Sequence, residues 1–227
     1  MLLATLAGMA LTARLGVWQL DRAAQKVALE QAIEQRATLY VLGAADLGTR
    51  LDDIVHRRVA LRGRWIERAT VYLDNRQMNG RPGFFVVTPL ALAGGGAVVV
   101  QRGWVPRDVN DRTRLPAVAT PPGEVELAGR IAPPPARLYE FDGAASGTIR
   151  QNLDLGAYAA EIGVQLPPLS VVQDAGPEDG LARQWPRPAV DVHKHYGYAF
   201  QWFALCALMA GLYVWFQLLR PRFRRSA

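Results

Sequence analysis

The stretch AVVVQRGWVP (residues 97–106) packs valines, a tryptophan and a closing proline into ten residues, and a glycine cluster, LAGGGAV (92–98), leads into it. β-Branched and aromatic residues bounded by glycine and proline form strands, so these residues are read as a strand entered through a turn. The same grammar recurs on both sides, in VALRGRW (59–65), TVYLDNRQ (70–77), GFFVVTPL (83–90), GEVELAGRI (123–131) and SVVQDA (170–175). Most of these segments start too close together for βαβ crossovers. An antiparallel sheet closed into a barrel or a sandwich is therefore expected. One helix stands out inside this region, LDLGAYAAEIG (153–163), where Leu155, Tyr158 and Ile162 fall at helical spacing. PAVATPPG (116–123) and APPPARL (132–138) read as proline-rich loops within one domain.

Outside this region the pattern changes. Tyr198–Leu219 is a run of 22 residues without a formal charge, which as a helix spans roughly 30 Å, the thickness of a hydrocarbon layer. Aromatic residues mark both ends, and Arg220, Arg222, Arg224 and Arg225 follow. The run is read as a transmembrane helix whose basic end stays in the cytoplasm. The first residues are apolar as well, with Arg14 the sole charge before Asp21. A second anchor is expected there, with residues 17–37 continuing it as a helix into the aqueous phase. Its 13 residues before Arg14 are short for a span. Either Arg14 snorkels to the interface, or the start given lies downstream of the true one; a signal peptide cut near Ala13 is the rival reading.

The expected organisation is thus a mainly β soluble domain with one or two helices, flanked by two transmembrane helices. The first covers residues 1–22 and is truncated at its start if a leader is missing. An extracytoplasmic β-rich domain follows over 23–192, a second transmembrane helix over 193–219 and a basic cytoplasmic tail over 220–227. The formal charge of +6 in 227 residues owes four of its units to the terminal arginines. The remainder is no footprint for nucleic acid. A single cysteine, Cys206, excludes an intrachain disulfide framework and any multi-cysteine metal site.

LGVWQLDRAAQK (15–26), LDNRQMNGRPGFFVVTPL (73–90), VVVQRGWVPRD (98–108) and HKHYGYAFQW (193–202) occur in this order between and within the two apolar segments. Together they resemble the successive signatures of the Surfeit locus protein 1 family. The resemblance covers nearly the whole chain. It implies an assembly factor for cytochrome c oxidase, held in the inner membrane by two helices, with its domain in the periplasm or intermembrane space and heme a among its cargoes. The implied partners are oxidase subunit I, heme a synthase and membrane lipid. Abundant Ala, Arg, Gly and Pro without a transit peptide point to a bacterial plasma membrane.

For a site, the residues offer one helical face. On a 100° wheel Tyr198, Ala199, Trp202, Cys206, Met209 and Tyr213 lie within about 60° of His195. A neutral imidazole suits heme iron as an axial ligand, and the family's H-x-x-Y spacing matches His195 and Tyr198. The site residues expected are therefore His195, as ligand of the heme iron, with Tyr198 and Trp202 beside it and Trp18 and Arg22 on the first helix. The structural alternative makes His195 an interfacial hydrogen-bonding residue and the stripe a packing surface for the first helix. Arg14, Trp18, Arg22 and Lys26 recur every four residues, as a basic edge for heme propionates, for lipid head groups or simply for solvent. His193 points elsewhere. Asp74, Asn75 and Arg76 shape either a hairpin and its salt links or a partner-binding loop.

Enzyme chemistry finds no constellation. His56 is the only histidine of the β-rich region, neither G-x-S-x-G nor H-E-x-x-H occurs, and the glycine cluster lacks a phosphate loop's lysine. Two functions remain: an assembly factor that receives or presents heme a, and a non-heme membrane scaffold that stabilises a partner subunit.

Overall fold

The structure, a computed structural model, describes residues 2–108, 110–111, 114–139, 146–176, 179–185 and 191–220, with Leu218 described by its backbone alone. Beyond Arg220 the expected basic tail lies outside these residues. The chain divides into two compact units, one of residues 33–186 and one of residues 1–32 with 187–227.

The larger unit is built on strands β1 (Arg58–Trp65), β2 (Val71–Met78), β3 (Arg81–Leu92), β4 (Ala97–Pro106), β5 (Glu124–Ala132), β6 (Ile149–Arg150) and β7 (Ser170–Gln173). They hydrogen-bond in the order β1-β5-β7-β4-β3-β2-β6, and β1 also pairs with β3. That last pairing sets Gly63, Arg64 and Trp65 opposite Leu92, Ala91 and Leu90 and closes a five-stranded barrel. Closure needs a glycine at this corner, because a Cβ on Gly63 would collide with the Ala91 carbonyl oxygen. Of the two architectures expected, the protein forms the barrel, with β2 and β6 continuing the sheet outside it.

The expectation of an antiparallel sheet needs correction in two places. β7 runs parallel to β4, and β6 runs parallel to β2. The segments after β5 return over long connections rather than hairpins, which leaves either direction open to them. The two residues of β6 are too few to carry a periodic signal.

Nine of β4's ten residues are buried, and its two faces go to different cores. Val98 and Val100 join Val59, Leu61, Leu127 and Ile131 inside the barrel. Val99 joins Leu73, Val87 and the helix α3 (Leu155–Ile162) on the outside. Side chains alternate across a strand, so the unbroken apolar run of β4 records burial on both sides. Each aliphatic side chain so removed from water contributes about 1.5–3 kcal/mol. A four-residue helix α2 (Leu51–Ile54) precedes the barrel, and α3 spans Leu155–Ile162 where the helix was expected. Asp154 caps α3 by accepting from the Ala157 amide at 3.0 Å, and Gly163 ends it at φ 69°. The glycine cluster makes the turn into β4, with Gly95 and Gly96 at positive φ.

In the smaller unit, α1 begins at Leu2 and α4 spans Val192–Tyr213, followed by a π-helical turn over Val214–Leu219. α1 runs unbroken to Ala37, as the reading of residues 17–37 anticipates. Among the described residues one helix, Val192–Gln217, is long and apolar enough to cross a membrane. The expected pair of spans is thus met by one helix. Arg14 and Gln19 interrupt the apolar part of α1, and charged residues follow from Asp21 onward.

Candidate functional site on the helix pair

Within the smaller unit α1 and α4 run antiparallel. Contacts pair Gly8 with Met209, Met9 with Cys206, Gly16 with Phe203 and Gln19 with His195, so numbers rise on one helix as they fall on the other. Buried and half-buried positions on α4 include Val192, His195, Ala199, Trp202, Cys206, Met209 and Tyr213, in alternating steps of three and four, with Ala210 half-buried beside them. On α1 the same rhythm picks out Met9, Thr12, Gly16, Gln19 and Ala23. A repeat of seven residues over two turns is the signature of helices that wind around each other with a left-handed seam.

Small residues on α1 bring the backbones together. A Cβ on Gly16 would lie 2.7 Å from the Phe203 ring, and one on Gly8 would lie 3.2 Å from Met209 Sδ. Thr12 turns its hydroxyl inward, donating to the Gly8 carbonyl at 2.9 Å. Cys206 reaches toward the Met9 carbonyl, with Sγ 3.5 Å away.

His195 occupies one position of this seam. Its Nδ1 lies 2.7 Å from Gln19 Oε1. An amide oxygen only accepts, so a hydrogen bond between the two is donated by Nδ1–H, and Nε2 is the ring nitrogen that can present a lone pair. Among the described residues Nε2 has no hydrogen-bond partner. Tyr198 sits off the seam and is 52% exposed; Trp18 is 48% exposed. Trp202 is half-buried on the seam, one turn below Tyr198. Arg22 stacks over the Trp18 ring at 5.7 Å and donates to Gln25 Oε1 at 3.1 Å. His193 faces solvent, and the neighbouring Lys194 pairs with Asp191 at 2.9 Å.

Of the residues expected at the site, Trp18 and Arg22 thus meet each other, whereas His195 meets the LGVWQLDRAAQK stretch through Gln19. Gln19 was visible as part of that stretch. Its role depends on the register of two helices more than 170 residues apart in sequence, which no local pattern reports. Most of the helical face expected to carry a macrocycle, Ala199, Cys206 and Met209 included, lies in the seam with α1.

The barrel unit holds a set of buried cations, of which the sequence singled out Arg76 alone. Arg102 is 1% exposed. It donates to the Ala119 carbonyl at 2.7 Å and to Thr120 Oγ1 at 2.8 Å, lies 4.7 Å over the Trp65 ring and faces Asp179 at 3.6 Å. Arg183 shares that carboxylate at 2.6 Å. Arg150 pairs with Glu161 beside Tyr158, whose hydroxyl donates to the Ala69 carbonyl and whose phenol burial pushes well up. Arg76 is buried, donating to the Gln151 carbonyl at 2.9 Å. Asp74 faces Arg107 at 3.6 Å, and Asn75, Asn79 and Gly80 take positive φ. Asp74, Asn75 and Arg76 therefore shape the β2–β3 hairpin and its links.

Fold and helix pair together define a protein that combines a closed β-barrel with two long helices carrying an imidazole in their seam. The chain belongs to the SURF1 family, whose model matches residues 6–207. A SURF1-like protein of Rickettsia bellii is 25% identical over 206 residues, 88% of this chain and 83% of that protein. Surfeit locus protein 1 of Xenopus tropicalis is 27% identical over 228 residues, 90% of this chain and 71% of its own length. The Arabidopsis thaliana protein of the same name reaches 32% over 123 residues, but that covers 48% of this chain and 35% of the relative.

Proposed function

We propose that the protein is an assembly factor for cytochrome c oxidase that takes up heme a at the outer end of its helix pair while subunit I is being built. One observation carries this reading: His195 Nδ1 lies 2.7 Å from Gln19 Oε1 in the helix seam, which leaves Nε2 as the ring nitrogen available to an iron. The donor chemistry fits the group. Bound there, heme a would be cargo, with His195 as axial ligand and the exposed faces of Tyr198 and Trp18, together with Trp202, as apolar contacts. Arg22 supplies a cation for propionates, which belong at the interface rather than in hydrocarbon. The protein then acts by holding and orienting a cofactor, with heme a synthase and oxidase subunit I as donor and acceptor.

α4 anchors the protein in the inner membrane of a bacterium, and α1 is the second anchor proposed beside it. The terminal arginines keep the C-terminus in the cytoplasm, which assigns the barrel to the periplasm.

The helix seam favours a second reading. Because Ala199, Cys206 and Met209 pack on α1, the stripe has a structural use without any heme, and the protein then serves as a scaffold for a partner subunit. An absorption spectrum of the detergent-purified protein from cells making heme a separates the two. A Soret band at stoichiometric strength supports heme handling; a colourless protein that still copurifies with subunit I supports the scaffold.

A further inference from the structure

We propose that Gln19 is the positioning residue for His195, fixing the orientation of its ring in the seam and the tautomer it presents. This rests on the heme reading above for its use, but its physical content stands on the helix pair alone. Gln19 and His195 are a polar pair whose side chains meet across the seam, at 2.7 Å, between Gly16 and Ala23 on one helix and Val192 and Ala199 on the other. Ring nitrogens of a free imidazole exchange the proton readily. Held by an amide oxygen, the proton stays on Nδ1. Nε2 is then the nitrogen of the neutral ring that carries the lone pair.

The same contact explains why the WQ pair stands where it does on α1. Trp18 and Gln19 are adjacent, so on a helix they point about 100° apart. Trp18 is directed out of the seam and Gln19 into it, which places an exposed ring and the imidazole's partner on one turn. Competence to bind an iron porphyrin is then a property of two helices, and loosening their register would switch the donor nitrogen without touching His195.

The test uses the full chain in detergent, labelled with ¹⁵N-histidine, as wild type, Gln19→Leu, Gln19→Glu and His195→Ala. Without any heme, the ¹⁵N shifts of His195 should report the Nδ1–H tautomer in wild type and in Gln19→Glu, and a mixture or the Nε2–H form in Gln19→Leu. Hemin titrated into the same samples should bind about tenfold or more weakly to Gln19→Leu. Gln19→Glu should retain binding and shift the heme reduction potential to lower values, because a carboxylate draws the Nδ1 proton more strongly. An Nε2–H wild type, or the same tautomer in wild type and Gln19→Leu, overturns the positioning role whatever hemin does. A wild type with the Nδ1–H tautomer that binds no hemin, or a His195→Ala that binds it normally, overturns the heme reading and leaves the positioning role standing.

Discussion

Asp179 is a side chain on which two guanidiniums depend. It is buried, with Arg183 at 2.6 Å and Arg102 at 3.6 Å, and Arg102 has only neutral acceptors otherwise. Removing the carboxylate leaves two cations in a water-poor site, a change that typically costs about 3–5 kcal/mol. Asp179→Ala should therefore lower the unfolding midpoint of the full chain in detergent, followed by near-ultraviolet circular dichroism; an unchanged midpoint would show that water already screens the pair. His56 carries the opposite kind of demand. Burial, with Arg130 and Arg36 nearby, lowers its pKa below the ordinary 6.5, and its Nδ1 is buried without a partner. The unfolded chain then takes up a proton that the folded chain refuses, so stability falls as pH drops below about 6.5. Replacing His56 by Asn should flatten stability between pH 7 and 5, measured on the same transition. Neither group was legible in the sequence. An arginine inside VVVQRGW looks like a surface residue until β4 is seen to be covered on both faces.

At the scale of elements, six of the seven strands were legible, with ends displaced by a few residues at most, because each announces itself through β-branched residues and glycine or proline bounds. Their pairing was not. The contact of β1 with both β5 and β3, and the parallel placement of β7 on β4, depend on long connections that carry no local signal. The same holds for the helix seam. The stripe on α4 was readable as one face from its spacing, but that face answers equally to a ligand and to a second helix, and only the positions of Gly8 and Gly16 against Met209 and Phe203 decide that α1 covers it. Gly16→Ile should push the helices apart at Phe203. Cys206, half-buried on the seam and the single cysteine of the chain, reports this directly. Its alkylation by N-ethylmaleimide in detergent should accelerate several-fold in Gly16→Ile and stay as in wild type in Gly197→Ala, where an added Cβ meets nothing within 4 Å. Equal rates in all three would show that the helices do not hold each other.

For the whole molecule, the question is how a barrel and a helix pair serve one task. The barrel supplies no catalytic constellation that was recognised in the sequence. β4 is covered on both faces, and the helix pair carries His195 in its seam against Gln19. In the proposed topology the barrel lies in the periplasm, so a reporter fused at Gly94, in the glycine turn before β4, should be active only outside the cytoplasm; activity inside would reverse the orientation.

The central claim is that heme a is held by His195 at the outer end of the helix pair. The most direct measurement is the absorption spectrum of wild type, His195→Ala and His193→Ala, each purified in detergent from cells making heme a and compared at equal protein. The Soret band should be present in wild type, lost or strongly shifted in His195→Ala and nearly unchanged in His193→Ala, with all three at the same level in the membrane. Normal heme loading in His195→Ala, or a greater loss in His193→Ala, would contradict the claim and return His195 to a purely structural partnership with Gln19.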